Sequence, residues 1–493
     1  MTASLAHPVI IQGGMGIGVS DWVLARAVSV RGQLGVVSGT AIDTLFVRRL
    51  QDGDTDGHLR RAMAAFPIPG VANDILNSYF RPDGRPDGVP YKPIPMYKQV
   101  VSRVRHQLTM MANFCEVWLA KEGHDGVVGI NLLTKVQMPN LGSLYGAMLG
   151  GVDYVLMGAG IPKEIPGALD RLAEHRPASL RLDVEGPVRD EAEYLTFDPL
   201  EHWSDAEPVA LRRPFFLPII ASNSLATMLA RKASGRVDGF IVEGPTAGGH
   251  NAPPRGEQRF NDRGEPVYTE RDVVDLPKLQ ELGYPFWLAG GTGSPEKVVE
   301  ALDAGAAGVQ VGTLFAYANE SGIRADLKRK VLEESVGRPV EILTDSRASP
   351  TGFPFKVVQL EGTVSSCSVY QARERVCDLG YLRTAYRREN GRLDYRCPAE
   401  PVDTYVKKGG ELEETVGRKC LCNALMADIG FPQVRDSGAV EKPLLTSGDD
   451  LRNIGAFAQG RLEYSAADVL EYLLSGLPDG LQGRALVESA AAG

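Results

Sequence analysis

A chain of 493 residues with 43% hydrophobic and 23% charged content has the composition of an ordinary globular protein, and it is too long for one minimal domain. Its formal charge of −9 is spread out, with no dense Lys/Arg block of the kind a nucleic-acid groove needs. No apolar run reaches the roughly 18 residues of a membrane span, and the N-terminus lacks a basic region before an apolar one, so neither a membrane partner nor a leader is expected and the location is read as cytoplasmic.

In chain order, Pro8–Gln12 reads as a short apolar strand, Gly13–Gly18 as a glycine turn, and Ser20-Asp21 as the cap of a helix over Trp22–Val30. Leu34–Ser38 repeats the strand. Residues 41–126 break the pattern as an insertion with a helix over Lys98–Lys121, and such insertions commonly lie over an active-site mouth. The rhythm resumes with strand Val127–Asn131, a helix near Ser143–Leu149, strand Asp153–Met157 and a helix opened by Pro162. A second, polar insertion covers 176–214. Strand Leu217–Ala221, helix Ser224–Ser234 and strand Gly239–Glu243 follow, then strand Phe286–Ala289, helix Glu296–Ala304 and strand Gly308–Val311.

Eight strands, nearly all followed by a helix and ending in Gly, Ser, Asn, Gln or Thr, predict an α/β fold, a TIM-type (β/α)8 barrel with a helical insertion and a C-terminal extension. The barrel is assigned to 1–335 and the extension to 336–493. A doubly wound open sheet is the alternative, but no G-x-G-x-x-G fingerprint with a distal acid accompanies the strands. Barrel ligands bind at strand C-terminal ends, and a phosphate commonly sits after strands seven and eight. Those loops here are Gly290–Gly293 and Gln310–Thr313, whose glycines leave backbone N–H groups free to face phosphate oxygens.

The strand Phe240–Glu243 runs through Gly244 and the Gly248-Gly249 pair to His250. A histidine delivered at a strand end by a glycine turn is a candidate proton-handling group, because its unperturbed pKa lies near neutrality. A flexible turn carrying a solvated histidine is the alternative.

Taken together, Ile11-Gln-Gly-Gly-Met15, Gly129-Ile-Asn131, Gly158-Ala-Gly160, Glu243 with Ala247-Gly-Gly-His250, Ala289-Gly-Gly291 and Gln310-Val-Gly-Thr313 resemble, in this order, the FMN-dependent nitronate monooxygenases (formerly 2-nitropropane dioxygenases) and the related FMN-dependent enoyl-acyl-carrier-protein reductases. The resemblance implies FMN across the barrel mouth. Its phosphate would be held by Gly290, Gly291 and the loop Gln310, Val311, Gly312 and Thr313; Gly13, Gly14 and Met15 would line the ring; Asn131, Glu243 and Gly248 would contact it; and His250 would be the catalytic histidine. The chain departs from the family pattern at Thr246 and at Asn251-Ala-Pro-Pro254, beside His250, which bears on the substrate more than on the cofactor.

What the resemblance implies for activity is oxidation of alkyl nitronates with O2 to carbonyl compounds and nitrite, or, as the alternative, NAD(P)H-dependent reduction of an enoyl thioester. A quinone or other small acceptor, a flavin-bearing subunit of a larger assembly and a barrel that binds a phosphate ligand without redox chemistry are further readings, and a homo-oligomer is compatible with all of them. In the extension, Cys377, Cys397, Cys420 and Cys422 offer soft ligands that suit zinc or an iron–sulfur cluster, but they lack paired C-x-x-C spacing, and buried free cysteines are common; metal binding is left open. Asp378, Arg383, Tyr386, Arg387 and Arg388 read as a solvated or docking surface, and Ser465-Ala-Ala-Asp468 as the cap of a terminal helix.

Overall fold

A computed structural model of the chain describes residues 7–186, 192–204 and 206–478; the remaining parts of the second insertion and of the C-terminal extension, residues 479–493 included, lie outside the described residues. Eight parallel strands form the centre: β1 (Ile10–Gln12), β2 (Gly35–Ser38), β3 (Val128–Leu133), β4 (Tyr154–Gly158), β5 (Phe215–Ile220), β6 (Phe240–Glu243), β7 (Phe286–Ala289) and β8 (Gly308–Val311). Their order is β1-β8-β7-β6-β5-β4-β3-β2, and a parallel bridge between Ile11 and Leu34 joins the two ends. Gln12 N donates to Leu34 O at 2.9 Å and Leu34 N to Ile10 O at 3.1 Å, so the sheet closes on itself as a barrel.

Every strand is buried, which explains its continuous apolar reading rather than an alternating one. Inward-facing Ile11, Val36, Leu156, Leu217, Ile241 and Trp287 fill the barrel, and Trp287 Nε1 donates to Pro8 O at 2.8 Å near its base. Each such side chain contributes about 1.5–3 kcal/mol by leaving water. The helices start where the sequence offers caps: Asp21 accepts from Val23 N and Leu24 N ahead of Trp22–Ser29, and Ser294 from Lys297 N ahead of Pro295–Asp303. Ser465 and Asp468 form a capping box before Ala466–Leu474.

The first insertion differs from expectation. It folds into four helices, Ile42–Gln51, His58–Ala64, Val71–Tyr79 and Arg103–Lys121, the last beginning at Arg103 rather than Lys98. That long helix packs beside the barrel against Asn140–Leu149, so closely that a Cβ on Gly146 would stand 2.3 Å from Met110 O. None of residues 41–126 lines the main cavity at the barrel mouth. The extension covers the mouth instead. It opens with an antiparallel pair, β9 (Ile342–Asp345) and β10 (Phe355–Val358), and β10 lies along the stretch that carries His250: Lys356 N donates to Gly249 O at 3.0 Å and Asn251 N to Pro354 O at 2.9 Å.

A buried ionic cluster pins the extension to the first insertion. Asp43 pairs with Arg105 at 2.7 Å, accepts from Tyr97 OH at 2.7 Å, and accepts from Tyr381 OH of the extension. Burial alone would raise the Asp43 pKa, but the Arg105 charge and these hydroxyls outweigh it and hold the carboxyl below its usual range. Tyr381→Phe is expected to cost about 1.5–3 kcal/mol of unfolding free energy in a denaturant titration, because it removes a bond to a buried charge and leaves Thr44 without its partner. No change would mean that the extension is not anchored there.

Candidate active site

The C-terminal ends of the strands surround a cavity of about 220 Å³. Gly13, Gly14 and Met15 enter it from the loop after β1, Asn131 from β3, Glu243 from β6, Gly290 and Gly291 from the loop after β7, and Gln310, Gly312 and Thr313 from β8 and its loop. Gly248 and His250 complete the expected set. Val311 does not belong with them: neighbours in a strand face opposite sides, so Gln310 points into the cavity while Val311 is buried in the outer core. Its carbonyl instead accepts from Gly13 N at 2.9 Å.

The loop after β1 is held in place by a buried amide. Gln12 Nε2 donates to Gly13 O and to Ser20 Oγ (2.8 Å), its Oε1 accepts from Val36 N at 3.0 Å, and Ser20 Oγ accepts from Met15 N at 2.9 Å. Gly14 then lies flat against Asn131; a Cβ there would be 2.3 Å from the Asn131 Cβ. Across the cavity, Gly290 and Gly291 have φ of +87° and +71°, a conformation that glycine adopts without strain.

His250 is fixed rather than solvated. Its Nε2 lies 2.6 Å from Ser349 Oγ, which is 0% exposed and accepts from Thr351 N at 3.2 Å, while the Phe355 ring stands edge-on to the imidazole at 4.8 Å. Burial, helped by the Lys135 charge, pushes the His250 pKa down to about 4. Burial also pushes Glu243 up to about 8, and among the described residues no cation is paired with it. Burial thus favours the uncharged form of both groups near neutral pH, and among the described residues no lysine or arginine lines the cavity.

Part of the site was not legible as such in the sequence. The strap Thr446-Ser-Gly-Asp-Asp450 crosses the rim: Thr446 Oγ1 accepts from Gly249 N at 2.9 Å, Gly448 N donates to Thr313 Oγ1 at 3.1 Å, and Asp449 N donates to Thr246 O at 2.9 Å. Asp450 accepts from Gly293 N at 3.1 Å, and burial raises its pKa. A glycine set between hydroxyls and acids was the available signal. The four cysteines Cys377, Cys397, Cys420 and Cys422 do converge, around a separate void of about 10 Å³, as free thiols. Among the described residues, however, no group of three or more His, Cys, Asp or Glu side chains is placed to hold a metal ion, and no helix is long and apolar enough to cross a membrane.

The residues fit a planar heterocycle with a phosphate tail. Asn131 Oδ1 and Gln310 Oε1 are buried acceptors with no partner among the described residues, and both line the cavity, where the N–H donors of a heterocycle would satisfy them. Gly13, Gly14, Gly290, Gly291 and Gly312 line the same cavity, and a Cβ on Gly14 or Gly290 would collide with Asn131 or with Ala247 N.

Residues 211–346, from just before β5 through β9, match the family model described as nitronate monooxygenase. Among solved structures the chain is similar to a protein described as FabK from Thermotoga maritima (17% identity, TM-score 0.46, covering 97% of this chain and 95% of that one). It is also similar to a nitroalkane oxidase from Streptomyces ansochromogenes (16%, 0.43, 99% and 98%) and to the enoyl reductase domain of MlnA from Bacillus amyloliquefaciens (12%, 0.47, 98% and 94%). At such distances these likenesses carry no activity over. No match is found among curated proteins. The family match takes in Glu243, His250, Gly290, Gly291 and the Gln310–Thr313 loop, and the chain is accordingly an oxidoreductase built on a (β/α)8 barrel whose residues 211–346 match the nitronate monooxygenase model.

Proposed function

We propose that the protein is an FMN-dependent reductase of a neutral, conjugated carbonyl compound, with an α,β-unsaturated thioester as the substrate class and NAD(P)H as the electron source. One feature carries the choice: among the described residues no lysine or arginine lines the cavity, and burial disfavours the charged forms of its histidine and glutamate. An anionic nitronate would enter such a site without a counter-charge, whereas a neutral thioester pays no such desolvation penalty. Nitronate oxidation with O2 is the second reading, supported by the family match over 211–346.

In this reading Gly290, Gly291, Gly312 and Thr313 would hold the FMN phosphate, and Asn131 and Gln310 the edge of its ring. The bound flavin supplies two-electron transfer between donor and acceptor. The rest is done by the chain. The strap and β10 line the mouth and would shield the reacting carbons from water. His250, locked by Ser349, presents one fixed ring edge to the substrate. Glu243 stores the proton that the α-carbon needs once the β-carbon has received hydride, because its raised pKa keeps it protonated at neutral pH.

The assay is NAD(P)H consumption with a crotonyl thioester, and nitrite release from an alkyl nitronate as the sole turnover would overturn the reading. With Glu243 as the acid, kcat should hold below its pKa and fall as pH rises through about 8. Glu243→Gln is expected to be slower and to lose that limb, and a limb that persists in the variant would remove the role. Stability runs the same way. A raised folded pKa stabilises fully below the unfolded value and loses that contribution as pH rises through about 8, so Glu243→Gln should gain in Tm over the parent at about pH 9 and not at about pH 4.

A further inference from the structure

A second cavity, of about 410 Å³, is walled in part by Pro350, Thr351 and Gly352, the residues that follow Ser349 in the loop holding His250. Its chemistry is opposite to that of the first. Lys135, Arg383 and Arg418 line it, and none of the three forms an ion pair among the described residues. Lys135 rests its ammonium 4.0 Å from the centre of the Phe353 ring without a hydrogen bond. Arg383 spends Nε on Gly380 O (3.2 Å) and Nη2 on Tyr97 O (2.6 Å), which leaves Nη1. Arg418 spends Nε on Glu414 O (3.0 Å) and Nη1 on Arg347 O (3.0 Å) and Ser349 O (2.6 Å), which leaves Nη2.

The acids in the same wall are mostly engaged. Glu185 pairs with Arg396 at 2.9 Å, and Glu414 accepts from Tyr405 OH at 2.8 Å and Glu411 N at 3.0 Å, which leaves exposed Asp183 as the remaining negative group. Burial lowers the pKa of both Lys135 and Arg418, outweighing the nearby acids Asp183 for the first and Asp345 and Glu414 for the second. Buried Arg396 Nε also has no partner. Partly desolvated cations without an ion-pair partner are costly unless an anion joins them, and one free guanidinium nitrogen from each arginine beside an ammonium suits the several oxygens of a phosphate better than a single carboxylate.

We propose that this cavity is an anion subsite in which Lys135, Arg383 and Arg418 hold a phosphate ester of a molecule whose reacting end lies beside His250. The proposal rests on the reductase reading for which molecule that is. It explains how an uncharged reaction cavity recognises charged biological substrates: the charge is bound next door. Two sources supply the chemistry, the phosphates of the nicotinamide donor and the phosphate of a pantetheine arm that bears the thioester.

Calorimetry on the purified holoenzyme tests it with NADPH, 4′-phosphopantetheine and phosphate-free pantetheine as separate probes. Lys135→Met and Arg383→Gln are each expected to weaken one of the two phosphate-bearing probes by about tenfold or more, with pantetheine binding unaltered. The probe that weakens identifies the source. Arg383→Lys, which keeps the charge, is expected to retain most of the affinity. The proposal is overturned if neither phosphate-bearing probe binds, if both variants bind them as the parent does, or if pantetheine weakens to the same extent. Failure of the reductase reading registers separately, as absent turnover of a crotonyl thioester, which these binding measurements do not require.

Discussion

His250→Ala is expected to lower kcat by about 10²-fold, the cost of losing a fixed positioning contact to the substrate, while the purified variant keeps its flavin absorbance. The expectation follows from how the imidazole is held. Ser349 fixes one ring nitrogen, Phe355 limits the tilt of the ring, and the pairing of Gly249 and Asn251 with the 354–356 strand fixes the backbone on either side. A ring immobilised at so many points is preorganised, and alanine removes the group without touching the glycine rim where the cofactor phosphate would bind. Ser349→Ala separates orientation from chemistry: it leaves the imidazole present but untethered, and a smaller loss, about tenfold, is expected in kcat. Unchanged turnover in His250→Ala would leave the histidine with a structural role alone, and loss of the flavin would place it among the cofactor's supports.

Gly290→Ala is expected to yield protein without bound flavin, and hence without activity, which visible absorbance after purification reads directly. Two independent penalties act there. With φ of +87°, an L-residue pays about 1–2 kcal/mol in backbone strain. The added Cβ would also stand 2.8 Å from Ala247 N, in the turn that leads to His250, so either the rim or that turn must shift. A shift of either opens the amides that would face the phosphate. An alanine variant that purifies with full flavin content would show that the rim after β7 does not carry the cofactor.

The barrel was legible because its strands are short, apolar and buried on both faces, and because Asp21, Ser294 and Ser465 announce their helices. The glycine loops and His250 followed from strand order, which places strand ends at one mouth. Val311 was assigned with its loop, and the pleat of β8 turns its side chain into the outer core. Gln310 and Gly312 line the cavity, and the side chain between them does not. The cover of the mouth was beyond sequence reasoning for a different cause. Ser349 meets His250 across 99 residues, Gly448 meets Thr313 across 135 and Thr446 meets Gly249 across 197, and no local periodicity encodes such pairings. The first insertion was placed over the mouth by analogy, whereas its long helix has an apolar face that the barrel helix Asn140–Leu149 buries.

These separations also explain why the substrate reading turns on the fold. The lack of a cation in the first cavity and the unpaired cations in the second depend on which loops of the extension meet the barrel, and Arg383, read in the sequence as part of a solvated or docking surface, lines the second cavity.

The most direct measurement is an anaerobic titration of the purified protein, followed by visible absorbance, first with NADPH and then with a crotonyl thioester. The account predicts a yellow protein that bleaches with the donor and regains its colour stoichiometrically with the thioester. A colourless protein that takes up no FMN, or a bleached one that the thioester leaves unchanged while oxygen restores it, would contradict it.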